Sequence, residues 1–275
     1  MVEGLKDRRE MTFLEHVEEL RTRLIRIFVA VGVVAAICFF FQVREMPFGV
    51  PFEGKCYFLY PSVYNNIASQ IILKMENDLT PSYVRVMQAT PEEVLVAELY
   101  VAIFLGVVFA MPVIVREIGA FVGPGLYPHE KKTIIKLLGP ISGLFAAGSI
   151  FSYYIIVPFA FKFLYAYGAA IDVLTLLKIE DFIWYVIMFM AALGLSFQLP
   201  VIMWAITKAD IVEPDYWKQN ILYAIALIVV FGAIITPDGS GVTMWLVAAP
   251  MIALYLAGYY ASKRGYKPEK GSEKG

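Results

Sequence analysis

The chain has 275 residues, of which 59% are hydrophobic and 17% charged, and its formal net charge is −1. With a mean hydropathy of +0.67, it carries more apolar surface than one water-soluble core can hide, which excludes a soluble domain and leaves a polytopic membrane protein. Net charge so near zero says little by itself, because topology follows from where individual lysines and arginines stand.

The first ten residues include Glu3, Asp7 and Glu10 and read neither as a cleavable signal nor as an organellar transit segment. Asp7-Arg8-Arg9 followed by Phe13-Leu14 has the look of an export signal. The phenylalanine is one residue too far from the arginines and no cleavage site follows, so the stretch is read as a positive-inside anchor. The segment MTFLEHVEELRTRL predicts an amphipathic helix running into the first span. Phe13, Val17, Leu20 and Leu24 fall on one face, and Glu15, Glu18 and Glu19 on the other. Glu19 and Arg23 are spaced i,i+4, the separation of an internal ion pair.

Six apolar runs follow, at about 23–41, 94–115, 134–161, 182–206, 220–235 and 242–260. Roughly 20 helical residues cover a hydrocarbon core of about 30 Å, so the third run is over-long and the fifth short. A short span thins the lipid around it or is sheltered by protein. The predicted fold class is therefore all-α, with six transmembrane helices in one membrane domain over 1–262 and a polar tail over 263–275.

Basic residues set the orientation. The N-terminal segment carries Lys6, Arg8, Arg9, Arg21, Arg23 and Arg26, and the 116–136 connection carries Arg116, Lys131, Lys132 and Lys136. Lys208, Lys218 and five more in the tail bring this side to 17 of the 23 lysines and arginines. By the positive-inside rule both termini are cytoplasmic. The opposite side carries a long loop, about 42–92, in which Val63, Ile67, Ile71 and Met75 recur as on one helical face. That face is expected to pack on the membrane domain.

Catalytic and metal signals are missing from the sequence. His16 and His129 are the only histidines and form no two-histidine motif, and Cys38 and Cys56 have no ligand spacing. Neither a phosphate-binding glycine loop nor a nucleophile elbow is present. An enzyme is not expected, nor a cofactor, nor nucleic-acid binding. The residues that stand out are carboxylates at the membrane edge. Glu130 follows the turn-rich FVGPGLYPH and opens a helix, where the dipole favours a negative charge by a few tenths to about 1 kcal/mol. Together with Glu19 it offers two carboxylates on one surface, which suits paired guanidinium groups bonding through parallel N–H donors.

The blocks FLEHVEELRTRL, TPEE at 90–93, PVIVREIGAFVGPGLYPHEKK, VPFAFKF at 157–163, LSFQLPV at 195–201 and TPD at 236–238 resemble, in order, those of the TatC family. That family is the multispanning core subunit of the twin-arginine protein translocase, and the resemblance covers about residues 10–260. It implies a receptor in a prokaryotic cell membrane that binds twin-arginine signal peptides and recruits small single-span TatA/TatB-type subunits. Folded proteins are then exported at the expense of the proton-motive force. Also implied are a homo-oligomer within a larger complex, Glu19 and Glu130 as acceptors of the signal arginines, Phe121 and Leu126 in the same site, and Arg21 supporting the N-terminal helix. Pro61, Pro112, Pro124 and Pro200 match as structural positions.

The sequence departs from the family in three places. Gln198 stands where the family often has a glutamate in the fourth span; it either meets partner subunits or ties helices together, and an amide does not relay protons. Val115-Arg116-Glu117 replaces an uncharged stretch with tyrosine and glutamine. In the last external turn Thr236 and Asp238 match partner-contact positions, while Met244 replaces a frequent glutamine. The rival reading from residues alone is an ion-coupled secondary transporter, which requires ionisable groups at mid-membrane and interrupted helices.

Overall fold

The computed structural model describes residues 13–47, 55–81, 83–122, 128–170, 175–236 and 241–266. Helix α1, Phe13–Phe40, joins the predicted amphipathic segment and the first span without a break. Strands β1, Phe41–Pro47, and β2, Lys55–Pro61, form an antiparallel hairpin in which Phe41 faces Pro61. Then follow α2, Ile67–Leu79, β3, Val84–Met87, and α3, Glu93–Val122. Helix α4, Pro128–Phe151, passes through a π turn, Ser152–Ile156, into α5, Val157–Ala169. Strand β4, Thr175–Lys178, pairs in parallel with β3 and leads into α6, Ile179–Ser196. The chain closes with α7, Leu199–Lys208, α8, Pro214–Gln219, α9, Ile221–Ile235, and α10, Val242–Gly265.

Five helical segments are long and apolar enough to cross a membrane, and α9 is a shorter apolar helix, as the six runs predict. The long third run is two helices welded at a π turn. Pro158 explains the weld: lacking an N–H, it cannot bond the Tyr154 carbonyl, and its ring crowds that position, so the preceding turn widens. The Val157 N–H then bonds Ser152 O, five residues back. Pro200 acts likewise between α6 and α7. It cannot donate to Ser196, and the helix is interrupted at Phe197 and Gln198.

Helix α6 is the centre of the bundle. Phe182, Ile183, Val186, Phe189 and Leu193 are fully enclosed by α3, by the α4–α5 segment and by α10. Small residues allow the close approaches that stand in for the hydrophobic effect inside lipid. A Cβ on Gly148 would lie 2.8 Å from the Leu193 carbonyl oxygen, and one on Gly106 would lie 2.7 Å from that of Val31. These two glycines set the α4–α6 and α1–α3 crossings.

Helix α1 is peripheral. Only 11% of its most apolar window is buried, against 50% for the α6–α7 span, and α3 is its main neighbour. Its inward face begins with Glu19 and Arg23 and continues through Ile27, Ala30, Val34 and Cys38. Val17, Leu20 and Leu24 point outward. The amphipathic segment is thus turned opposite to a water-soluble helix, because Glu19 holds Arg23 and Arg23 reaches across to Glu117 on α3.

The external loop also differs in detail from expectation. Of the expected face, Ile67, Ile71 and Met75 pack against the core, Ala68, Ile72 and Leu79 complete the buried side of α2, and Val63 is exposed and precedes the helix. The residues at 57–61 belong to the second strand of the hairpin. Asn66 starts α2 by accepting from the Ser69 N–H at 2.8 Å, and its Nδ2 donates to Glu98 Oε2 at 2.8 Å. This pair fastens the loop to α3.

Candidate functional site

The candidate surface is built where the N-terminal turns of α1 meet the last turns of α3. The helices run antiparallel, so residue numbers rise along one as they fall along the other. His16 stacks on Phe121 with ring centroids 4.5 Å apart and planes 26° apart. One turn further in, Arg23 reaches both helices. Its Nε donates to Glu19 Oε1 at 2.9 Å, its Nη2 bonds the same oxygen, and its Nη1 lies 3.3 Å from Glu117 Oε2. Arg26 Nη1 approaches that Glu117 oxygen at 3.4 Å.

Burial ranks these charges. Glu117 is 5% exposed, whereas Arg26 lies largely in solvent. A carboxylate removed from water persists only where positive charge and hydrogen bonds replace its hydration, and Arg23 and Arg26 supply both. Glu19 Oε2 is buried and has no hydrogen-bond partner among the described residues. Beside this network lies an open depression of about 470 Å³ lined by Glu15, Glu18, Glu19, Thr22, Arg23 and Arg26. Three carboxylates and two guanidiniums on one rim favour a cationic ligand with directed N–H donors.

Of the predicted site residues, the structure brings Glu19 and Phe121 to the same end of the α1–α3 pair. Arg21 is exposed on α1. Glu130 stands in the first turn of α4, Pro128–Phe151, with its side chain outside the described set. Leu126, Pro124 and Asp238 lie outside the described residues. Pro112 is an exposed interior residue of α3, and Pro61 ends β2 at the far end of the bundle.

Gln198 sits in the interruption between α6 and α7, buried, its Nε2 donating to Gly194 O at 3.2 Å. Its Oε1 is buried without a partner among the described residues. The Thr236 hydroxyl donates to Gly232 O at 3.0 Å at the end of α9, and Met244 is half-buried near the start of α10, its backbone carbonyl 3.1 Å from where a Gly232 Cβ would stand.

Three features of the site escaped sequence reasoning in their roles: Glu117, Arg26 and the His16–Phe121 stack. Glu117 stands out in the sequence only as a charge at the end of an apolar run. Its partners become visible once α1 and α3 are laid antiparallel in register, which no local pattern supplies.

Comparison with known proteins agrees with this architecture. Residues 15–250 match the family model described as TatC, Sec-independent protein translocase protein. The chain is 41% identical over 263 residues to the Sec-independent protein translocase protein TatC of Cenarchaeum symbiosum, covering 96% of this chain and 98% of that one. It is 33% identical over 265 residues to the chloroplastic TATC of Arabidopsis thaliana, covering 95% of this chain and 69% of the other. A crystal structure of a twin-arginine translocase receptor, TatC, superposes with a TM-score of 0.72 at 28% identity, covering 92% of this chain and all of that one.

Proposed function

The chain belongs to the TatC family, and on that premise we propose that the α1–α3 end of the bundle is its receptor face for twin-arginine signal peptides. The protein is a subunit of the Sec-independent, twin-arginine protein translocase. The observation that carries the reading is the occupied state of Glu19. This carboxylate already holds a guanidinium, that of Arg23, in a partly buried setting beside an aromatic stack. A site that holds one arginine in this way has the chemistry to hold another. Glu130 in the first turn of α4 supplies the second carboxylate, and Phe121 and Leu126 supply apolar contact. Arg21 steadies α1 from outside.

The basic residues at this end support a cytoplasmic receptor face, with both termini inside. Residues 1–262 act as one membrane domain and 263–275 as a cytoplasmic tail. The protein works in a prokaryotic cell membrane as part of a homo-oligomer with TatA/TatB-type single-span subunits, which meet it around Gln198, Thr236, Asp238 and Met244. Transport draws on the proton-motive force. The transporter reading has less support: the buried carboxylates of the described spans, Glu93, Glu98 and Glu117, lie near helix ends, and the interruption of the fourth span holds a neutral amide.

Binding of a synthetic Arg-Arg signal peptide to the reconstituted protein tests the site. Glu19→Gln and Glu130→Gln should each weaken binding by at least about tenfold, the size of one charge-assisted hydrogen bond. Undiminished binding in both variants would sink the assignment.

A further inference from the structure

Glu117 has no assigned part in this site, yet it lies at the centre of its charge network. Its carboxylate accepts from Arg23 at 3.3 Å and from Arg26 at 3.4 Å while remaining buried. Arg23 in turn is shared, bonding Glu19 through Nε and Nη2 and Glu117 through Nη1. The acid read above as the receptor of a foreign guanidinium is therefore occupied by one from its own helix. Any ligand arginine must displace Arg23 or share Glu19 with it.

We infer that Glu117 is a positioning residue of the signal site: the acceptor that keeps Arg23 paired when an incoming guanidinium takes over Glu19. The inference rests on the reading of Glu19 as that ligand's partner. Charge counting gives the reason. Without Glu117, release of Arg23 from Glu19 would leave an unpaired cation directly beside the arriving one, at a partly desolvated position where repulsion is poorly screened. With Glu117, the exchange replaces one arginine on Glu19 by another, and Arg23 keeps a carboxylate it already touches. Arg26, mostly in solvent, balances Glu117 in either state. Glu19 Oε2, buried and without a partner among the described residues, keeps acceptor capacity for the incoming N–H once Arg23 moves.

The test uses the full-length protein in lipid nanodiscs with an Arg-Arg signal peptide as ligand and a Lys-Lys peptide as control. Glu117→Gln should weaken Arg-Arg binding about tenfold, because Arg23 then stays on Glu19. Arg23→Gln combined with Glu117→Gln should bind more tightly than Glu117→Gln alone, because no guanidinium of the chain then competes for Glu19. Glu117→Asp keeps the charge and should retain most of the affinity; it carries the test if the glutamine variant does not fold. Unchanged binding in Glu117→Gln, or a double variant as weak as the single one, overturns the inference. The Glu19→Gln control separates the two readings. If it leaves binding intact, the assignment of Glu19 fails. If it abolishes binding while Glu117→Gln has no effect, only the positioning role of Glu117 fails.

Discussion

The Tyr153 hydroxyl donates to the Asp78 carboxylate at 2.8 Å, joining the π turn of the third span to the end of the external helix α2. The widened turn made necessary by Pro158 is thus used to fasten a loop. Asp78 also lies 3.9 Å from Lys74, one turn back on α2.

Removing that hydroxyl should loosen α2 without disturbing the opposite end of the bundle. Tyr153→Phe is expected to cost about 1.5 kcal/mol, the lower end for a bond to a charged group because Asp78 is partly solvated. Hydrogen exchange in α2 should accelerate while signal-peptide affinity stays unchanged. Unaltered exchange would show that the bond does not hold the loop.

Asn66 does two jobs, capping α2 and bonding Glu98. Asn66→Ala loses the cap and leaves a buried carboxylate short of a donor, for a combined loss of about 2–4 kcal/mol. Glu98→Gln keeps a polar partner of the same shape and should cost less. Thermal unfolding in detergent checks the order; equal losses would mean that the cap adds nothing beyond the bond to Glu98.

The α4–α6 contact depends on the absence of a side chain at Gly148. A methyl group there would meet the Leu193 carbonyl and the Phe197 ring at 2.8 Å, so Gly148→Ala should destabilise the bundle by about 1–3 kcal/mol. Gly32→Ala has nothing within 4 Å of the added carbon and should be neutral or slightly stabilising. Melting of the two variants side by side decides the point, and a stable Gly148→Ala would disprove the close crossing.

Helix α9 has 15 residues, about 22 Å of helix against a hydrocarbon core of about 30 Å. A short span of this kind thins the lipid beside it. Inserting one turn of leucines into α9 should impair export of a folded reporter while signal-peptide binding persists. Normal export would remove local thinning from the mechanism.

Much of the fold is legible from residue order because insertion into lipid depends on runs of apolar residues, which local sequence records. The short α9 and the over-long third run are both present as predicted. The hairpin was not legible, since no strong local motif announces the pairing of 41–47 with 55–61. The packing face of α2 was legible through Ile67, Ile71 and Met75, while its centre on Ala68, Ile72 and Leu79 depends on contacts with α1, α3 and α5. In the site, Glu19 and its i,i+4 partner Arg23 were local and were found. Glu117 and Arg26 were not connected, being more than 90 residues apart in the chain.

What the sequence by itself determined is the number of spans, their lengths, the prolines that interrupt them and the acids at their edges. Only the tertiary structure decided which way each span faces. In water an apolar stripe points to the core, but in lipid it is equally at home outside, so hydrophobic pattern no longer fixes rotation about the helix axis. For α1 the decision falls to Glu19 and Arg23, whose charges find Glu117 on α3 and turn the apolar side of the helix outward. The same interaction that orients the helix leaves a carboxylate holding an arginine where we propose that a second arginine binds.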